Sequence, residues 1–296
     1  MIQPATPDML PELKKLWQVC FGDSAAGINF VFTGLLRPED ILVYTGSSGR
    51  AVAMLCFKLL PFTTQGKTFP GAYIFGVGTL PEYRGKGISA ALLEKAEQLL
   101  REQGVRVACL IPASEGLFDF YAAHGFETQF YYKQLKAGRD EIPLPDKEGR
   151  LSPYNLEDLA KKRGRVFGGS LLGEWDEDYL RYTGAECRFL GGEVLRLTRA
   201  NEYPNYAVCY PDGKGGILVK ETTVPVYQLD SFLAALHERY NAQSYRLRLR
   251  ADSLLADKWP AQTLPFAMTK WYYEEDARGG NPGGAPWFAF GLDDVN

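Results

Sequence analysis

The stretch GVGTLPEYRGKGISAALLEKAEQLL, residues 76–100, decides how this chain is read. Residues 72–79 form an apolar run that reads as a buried strand and leads into Pro81 and a glycine-bearing loop. Beyond the loop, Ile88, Ala91, Leu92, Ala96, Leu99 and Leu100 recur at helical spacing, which predicts a helix over residues 87–103. A helix that starts this way leaves its first backbone N–H groups without carbonyl partners, and those donors attract an anion. Gly85 and Gly87 let the main chain come close to a diphosphate, Ser89 is small, and Arg84 and Lys86 supply positive charge. The helix dipole adds about 0.3–1 kcal/mol per favourable anionic contact. Two commoner phosphate loops do not fit. The Walker pattern needs Ser or Thr after the lysine, where this chain has Gly87. The dinucleotide pattern fails because Pro81 stands where the third glycine after Gly76 and Gly78 belongs.

Working outward, the 296 residues suffice for two globular domains, with 46% hydrophobic and 23% charged content. No run approaches the roughly 18 apolar residues of a membrane span, and the opening MIQPATPDMLPELKK lacks the basic-then-apolar order of a signal peptide, so a cytoplasmic protein without membrane partners is expected. A net charge of -3 argues against nucleic acid as the partner and suits a cationic small molecule, and it is equally well read as a solubility feature. Cys20, Cys56, Cys109, Cys187 and Cys209 show no CxxC spacing and read as buried thiols. His124 and His237 are not paired at helical spacing, so no metal is expected.

Before the loop, Leu10, Leu13, Leu16, Trp17 and Cys20 make an amphipathic helix over residues 7–21, and residues 41–45 and 51–60 a hairpin. After it come a buried strand (105–111), a short helix (115–124) and a closing strand (126–135), in βαβαβ order. The charged, proline-bearing stretch AGRDEIPLPDKEGR, which ends at Arg150, looks like a linker, so the expected division is a first domain over residues 1–136, a linker over 137–150 and a second domain over 151–296. In the second, helices are predicted at 154–167, 176–183 and 229–240, and strands at 193–198, 206–210, 216–223, 245–249, 266–273 and 287–292. The glycine-rich loop GGNPGG precedes the last strand.

Arg84-Gly85-Lys86-Gly87-Ile88-Ser89 resembles the coenzyme A loop of the GNAT superfamily of N-acetyltransferases, with Ser89 where the family has a smaller glycine or alanine. A second segment, Phe120-Tyr121-Ala122-Ala123-His124-Gly125-Phe126-Glu127, resembles the family's FYxxxGFE run at the expected order and distance. The resemblance implies an α/β (α+β) fold of two GNAT-like modules, each a mixed, mostly antiparallel sheet flanked by helices. It also implies acetyl-CoA as co-substrate. Gly85, Lys86, Gly87, Ile88, Ser89 and Ala90, with Arg84, would then hold the diphosphate, and the backbone of Val77, Gly78 and Thr79 the pantetheine arm. Ser114 and Glu115 would border the thioester or simply cap a helix.

In the family, the tyrosine matching Tyr121 protonates the departing thiolate. With a phenol near 10 and a thiol near 8.5, that transfer is nearly balanced. An acceptor amine resembling lysine is only about 0.04% free base at pH 7, so a base is needed. Glu115 and Asp119 are close in sequence and equally well read as solvated helix carboxylates.

As a whole the chain resembles the tandem-GNAT proteins related to the enhanced intracellular survival (Eis) acetyltransferases. Residues 174–180 (EWDEDYL), 218–221 (LVKE) and 265–271 (PFAMTKW) look like their degenerate second module. No Arg-x-x-Gly-x-Gly element follows residue 150, so that module is expected either to shape the acceptor pocket or to stabilise the first. Longer relatives add a third, sterol-carrier-like domain whose terminal carboxylate reaches the active site, whereas this chain ends at Asn296 after two. The implied activity is acetyl transfer to a primary amine of a small molecule or peptide by direct attack in a ternary complex. The alternative is a non-catalytic acyl-CoA-binding sensor. A homo-oligomer is compatible with either.

Overall fold

The computed structural model describes residues 1–64, 66–145, 149–167, 172–199, 204–255 and 259–273. The chain opens with β1 (Ile2–Pro4), α1 (Leu10–Phe21), α2 (Ala25–Gly34), β2 (Ile41–Thr45) and β3 (Ala51–Leu59). Two short strands, β4 (Phe62–Thr64) and β5 (Lys67–Phe69), precede β6 (Gly71–Thr79), α3 (Ile88–Glu102), β7 (Val107–Leu110), α4 (Glu115–Ala122) and β8 (Glu127–Gly138). Then follow β9 (Arg150–Pro153), α5 (Leu156–Phe167), β10 (Leu172–Gly173), α6 (Glu177–Phe189), β11 (Glu193–Thr198), β12 (Asn205–Pro211), β13 (Gly216–Thr222), α7 (Leu229–Tyr240), β14 (Ser244–Arg250) and β15 (Ala261–Trp271). The predicted strand 287–292 and the loop GGNPGG lie outside the described residues.

Local chemistry accounts for the helix ends. α1 stops at Gly22, whose φ of +77° the side chain of most residues would resist. α2, which buries Ile28, Val31 and Phe32, was not expected; it begins where the Ser24 hydroxyl accepts from Gly27 N–H at 3.1 Å. α6 is capped by Asp176, which accepts from Tyr179 N–H at 2.7 Å.

The ladders occur twice in the same order. In one unit β1-β2-β3-β6 pair antiparallel and β6 pairs β7 in parallel. In the other β9-β11-β12-β13 pair antiparallel and β13 pairs β14 in parallel. One helix bridges each parallel pair, α3 in the first and α7 in the second, because parallel neighbours need a crossover. Each unit is thus a mixed, mostly antiparallel sheet with helices, as expected.

The closing strands differ from the sequence reading. Residues 268–271 of β15 pair antiparallel with β7, from Met268 opposite Leu110 to Trp271 opposite Val107. β8, expected to close the first module, pairs antiparallel with β14, from Ser244 opposite Gly138 to Arg250 opposite Tyr132. The first compact unit therefore gathers Met1–Phe62, Thr68–Glu127 and residues 268–273, and Thr128–Ala267 belongs to the second. The division falls after Glu127 rather than in the charged stretch from 137 to 150. That stretch begins inside β8 and goes on into a single helical turn at Arg139–Glu141, held by Gly138 N–H donating to Glu141 Oε2 at 2.6 Å.

In the first unit Leu92, Leu93, Ala96 and Leu100 of α3 share one buried core with Leu55, Ala72, Ile74 and Leu110 of the sheet. Each such leucine contributes about 1.5–3 kcal/mol by leaving water. Ala91 and Leu99, expected in this face, are only partly buried, and Leu93 takes part instead. Among the described residues no helix is long and apolar enough to cross a membrane.

Candidate active site

β6 carries the site because its two edges are treated differently. Toward β3, Met54 faces Gly78 and Cys56 faces Phe75, so Gly76 and Val77 together oppose a single residue and form a bulge. Gly76 takes φ +58°, and a Cβ there would sit 2.8 Å from the Trp17 ring. A Cβ on Gly78 would meet Cys20 and Phe21 at 3.1 Å. α1 thus lies directly on the bulge, with Trp17 Nε1 donating to Asp23 Oδ2 at 2.6 Å. Toward β7 the parallel ladder spans Gly71–Ile74 against Val107–Leu110 and ends there. β6 runs on through Val77, Gly78 and Thr79, with that edge released from the ladder.

The loop after β6 is held by its own side chains. Arg84 Nε donates to the Thr79 carbonyl at 3.0 Å, and Lys86 Nζ donates to Glu82 O at 2.9 Å while lying 5.0 Å from the centre of the Tyr83 ring. The Ser89 and Thr79 hydroxyls are 3.0 Å apart and hydrogen bonded, so the serine that departs from the family pattern ties the end of the strand to the start of α3. Gly85 and Gly87 adopt φ +70° and +72° with open space where a Cβ would lie; backbone conformation alone selects glycine there. The first helical bond runs from Ala91 N–H to Gly87 O at 3.0 Å, and Gly87 offers no side-chain cap. The N–H groups of Ile88, Ser89 and Ala90 are therefore left for an outside acceptor. Cys20, expected to be buried, is half-buried: desolvation pushes its thiol up, and the neighbouring Arg84 partly offsets this.

Tyr121 lies on α4 in the same core cluster as Ile74, Ile88 and Leu110, its ring edge-on to Phe120 and Phe126 at 5.1 and 6.0 Å. Burial pushes its phenol up to about 12, so it stays protonated through the neutral range. Against a thiolate of ordinary basicity that makes proton transfer uphill by about 5 kcal/mol, not nearly balanced. A thiolate formed in the same apolar surroundings is itself more basic, which offsets part of this. Ser114 is the exposed residue before α4 and makes no side-chain cap; Glu115 and Asp119 are exposed on α4.

A cavity of about 610 Å³ lies between α3 and the end of α4, lined by Gly87, Ala90, Ala91, Glu94, His124 and Gly125 among others. Glu97 and Lys270 also line it, and sequence reading missed both. Lys270 comes from a strand that local pattern assigned to the other half of the chain. Glu97 looks like one more charge on a solvated helix face. Among the described residues no group of three or more His, Cys, Asp or Glu is arranged to hold a metal ion.

Residues 1–129 match the family model of the acetyltransferase (GNAT) domain. No curated protein matches the sequence. Similar solved structures include a conserved protein of unknown function from Enterococcus faecalis V583 (TM-score 0.73, 16% identity, covering 92% of this chain and 72% of that one). A GNAT N-acetyltransferase from Anabaena variabilis is similar at TM-score 0.71 and 18% identity, covering 91% of this chain and 72% of that one. Eis1 from Mycobacterium abscessus follows at TM-score 0.67 and 15% identity, over 94% of this chain and 75% of that one. At these identities the likeness speaks for the fold, which extends over both units. The chain thus has a GNAT fold, and its residues 1–129, which carry the loop and α4, match the acetyltransferase (GNAT) domain.

Proposed function

We propose that the first unit transfers an acetyl group from acetyl-CoA to a primary amine of a small molecule or peptide, by direct attack within a ternary complex. The observation that carries this reading is the parting of β6 from β7 beside an uncapped helix N-terminus: the strand edge beyond Ile74 is open, three N–H groups at the start of α3 are unpaired, and a cavity of about 610 Å³ is lined by Ile74, Gly87 and Ala90. A pantetheine arm is a chain of amides that can add to a strand edge, and a diphosphate is the anion such a helix start accepts. On this reading Val77 and Gly78 pair with the arm, the N–H groups of residues 85–90 cradle the diphosphate, and Lys86 adds charge near it. Arg84 serves more to fix the loop, since its Nε is already engaged by Thr79. Ser114 borders the thioester. The free amine nitrogen attacks the thioester carbonyl, the carbon–sulfur bond breaks and the Tyr121 hydroxyl protonates the sulfur, while the proton shed by the new amide nitrogen passes to solvent, which reprotonates the tyrosinate.

Titration with acetyl-CoA followed by a thiol-release assay over polyamines, aminoglycosides and N-terminal peptides tests this. The expected result is micromolar binding with release that depends on the amine. Binding without release for any amine would favour the acyl-CoA sensor instead, and absence of binding would sink the reading.

A further inference from the structure

Lys270 joins the two helices that flank the cavity. Its Nζ donates to Glu97 Oε2 on α3 at 2.5 Å and to the His124 carbonyl just beyond α4 at 2.9 Å. The second partner belongs to the residue that follows the C-cap Ala123, next to the negative end of the helix dipole, where a cation is favoured. Its stem lies flat on the main chain there: Gly125 has φ +83°, and a Cβ at that position would come within 3.1 Å of Lys270 Cε and 3.3 Å of Nζ. The glycine of the FYxxxGFE-like segment is thus selected by its backbone angle, and its missing side chain lets the lysine lie close over it. Glu97 is held from its other side by Arg101, whose Nε and Nη2 donate at 2.9 and 2.8 Å, and Arg101 Nη1 donates to Tyr272 O at 2.6 Å. Burial pushes the Glu97 carboxyl up, but the hydrogen bonds and charges of Lys270 and Arg101 outweigh it and hold the group below the usual range. Lysine, glutamate and arginine form one network, most of it shielded from solvent, that fixes residues 268–273 to α3 and to the end of α4.

We infer that Lys270 is a positioning residue for acetyl-CoA: bridging Glu97 and the His124 carbonyl, it sets the separation of α3 and α4 and so the width of the cleft between them. This rests on the acetyl-CoA reading above and adds to it that the cleft is finished by a residue 146 positions along the chain from the segment it holds. It touches neither the thioester nor the amine, so its effect falls on cofactor affinity and not on the chemical step.

The test compares wild type, Lys270→Met, Lys270→Arg and Glu97→Gln by acetyl-CoA titration, steady-state kinetics and thermal melting. Lys270→Met is expected to raise the acetyl-CoA Kd and KM about tenfold, as loss of a charge-assisted hydrogen bond at this depth implies, with kcat at saturation and the amine KM within about twofold. Lys270→Arg, which keeps donors for both partners, is expected to recover most of that loss. Should Lys270→Met fold poorly, Glu97→Gln removes one arm of the bridge and is expected to move Kd in the same direction. A melting temperature that falls while the acetyl-CoA Kd and KM stay at wild-type values would overturn the inference and leave Lys270 a stabilising residue only. Failure of wild type itself to bind acetyl-CoA would overturn the underlying reading, which separates the two failures.

Discussion

The two parallel strand pairs are built alike and finished differently. In the first unit β6 outruns its ladder at Ile74 and leads through a loop with two left-handed glycines to an uncapped helix. In the second, β13 outruns its ladder at Val219, and the residues beyond, Lys220, Glu221 and Thr222, are sealed in, with 2%, 0% and 6% exposure. Glu221 accepts from Arg163 Nε at 3.1 Å and from the Tyr206 hydroxyl. Arg163 also donates to Gly173 O at 2.5 Å and stacks 4.3 Å from the Trp175 ring. Thr222 Oγ1 donates to Tyr206 O at 2.6 Å. The chain enters α7 through Pro225 and a turn at Val226–Gln228, with no glycine between Thr222 and Leu229. One topology thus gives an open strand end or a plugged one, and the difference lies in a few side chains. A buried ion pair fills the strand end of the second unit at the place where the first unit has an open edge.

The largest expected effect tests the open end. Tyr121→Phe should lower kcat by about 10²- to 10⁴-fold with acetyl-CoA affinity unchanged. Because burial raises the phenol to about 12, the protonated acid persists up to that pH, and wild-type kcat should show no tyrosine-dependent falling limb between pH 8 and 10. A limb in that window that vanishes in Tyr121→Phe would break the assignment.

Next comes the plug. Glu221→Ala leaves Arg163 buried without its counter-charge and should cost about 3–5 kcal/mol in urea unfolding, whereas replacing Arg163 and Glu221 together by methionine should cost far less. Equal losses would show that the stranded charge of Arg163 is not what makes the single change costly.

Gly87→Ala forces a non-glycine residue into the left-handed region, at about 1–2 kcal/mol, and should weaken acetyl-CoA binding by tilting the free N–H groups. The smallest effect is Ser89→Ala. Losing the hydroxyl pair with Thr79 should cost about 0.5–1.5 kcal/mol of stability and leave acetyl-CoA affinity within twofold; a larger loss of affinity would give the hydroxyl a direct part in binding.

Sequence made the open end legible because its signals are local. Two glycines, a proline and a helical stripe lie within residues 76–100, and the structure places them as strand, loop and helix. The plug was not legible. Arg163 sits among Lys161, Lys162 and Arg165 and reads as a solvated face, yet it is 2% exposed. Its ion-pair partner Glu221 lies 58 residues on, in the segment LVKE, and its other contacts are Gly173 and Trp175, at the edge of and within the segment EWDEDYL; resemblance alone had marked both segments. The exchange of closing strands was hidden for the same reason: residues 127–138 and 261–271 both look like ordinary strands, and which neighbour each pairs with is decided by non-local packing. Lys270 became visible only once that exchange was known.

The comparison is tested most directly by the stoichiometry of acetyl-CoA binding in a calorimetric titration of the whole chain. One site per chain, weakened by Gly87→Ala and untouched by the paired replacement of Arg163 and Glu221, is the predicted result. Two sites, or one that survives disruption of the Arg84–Ser89 loop, would contradict the account.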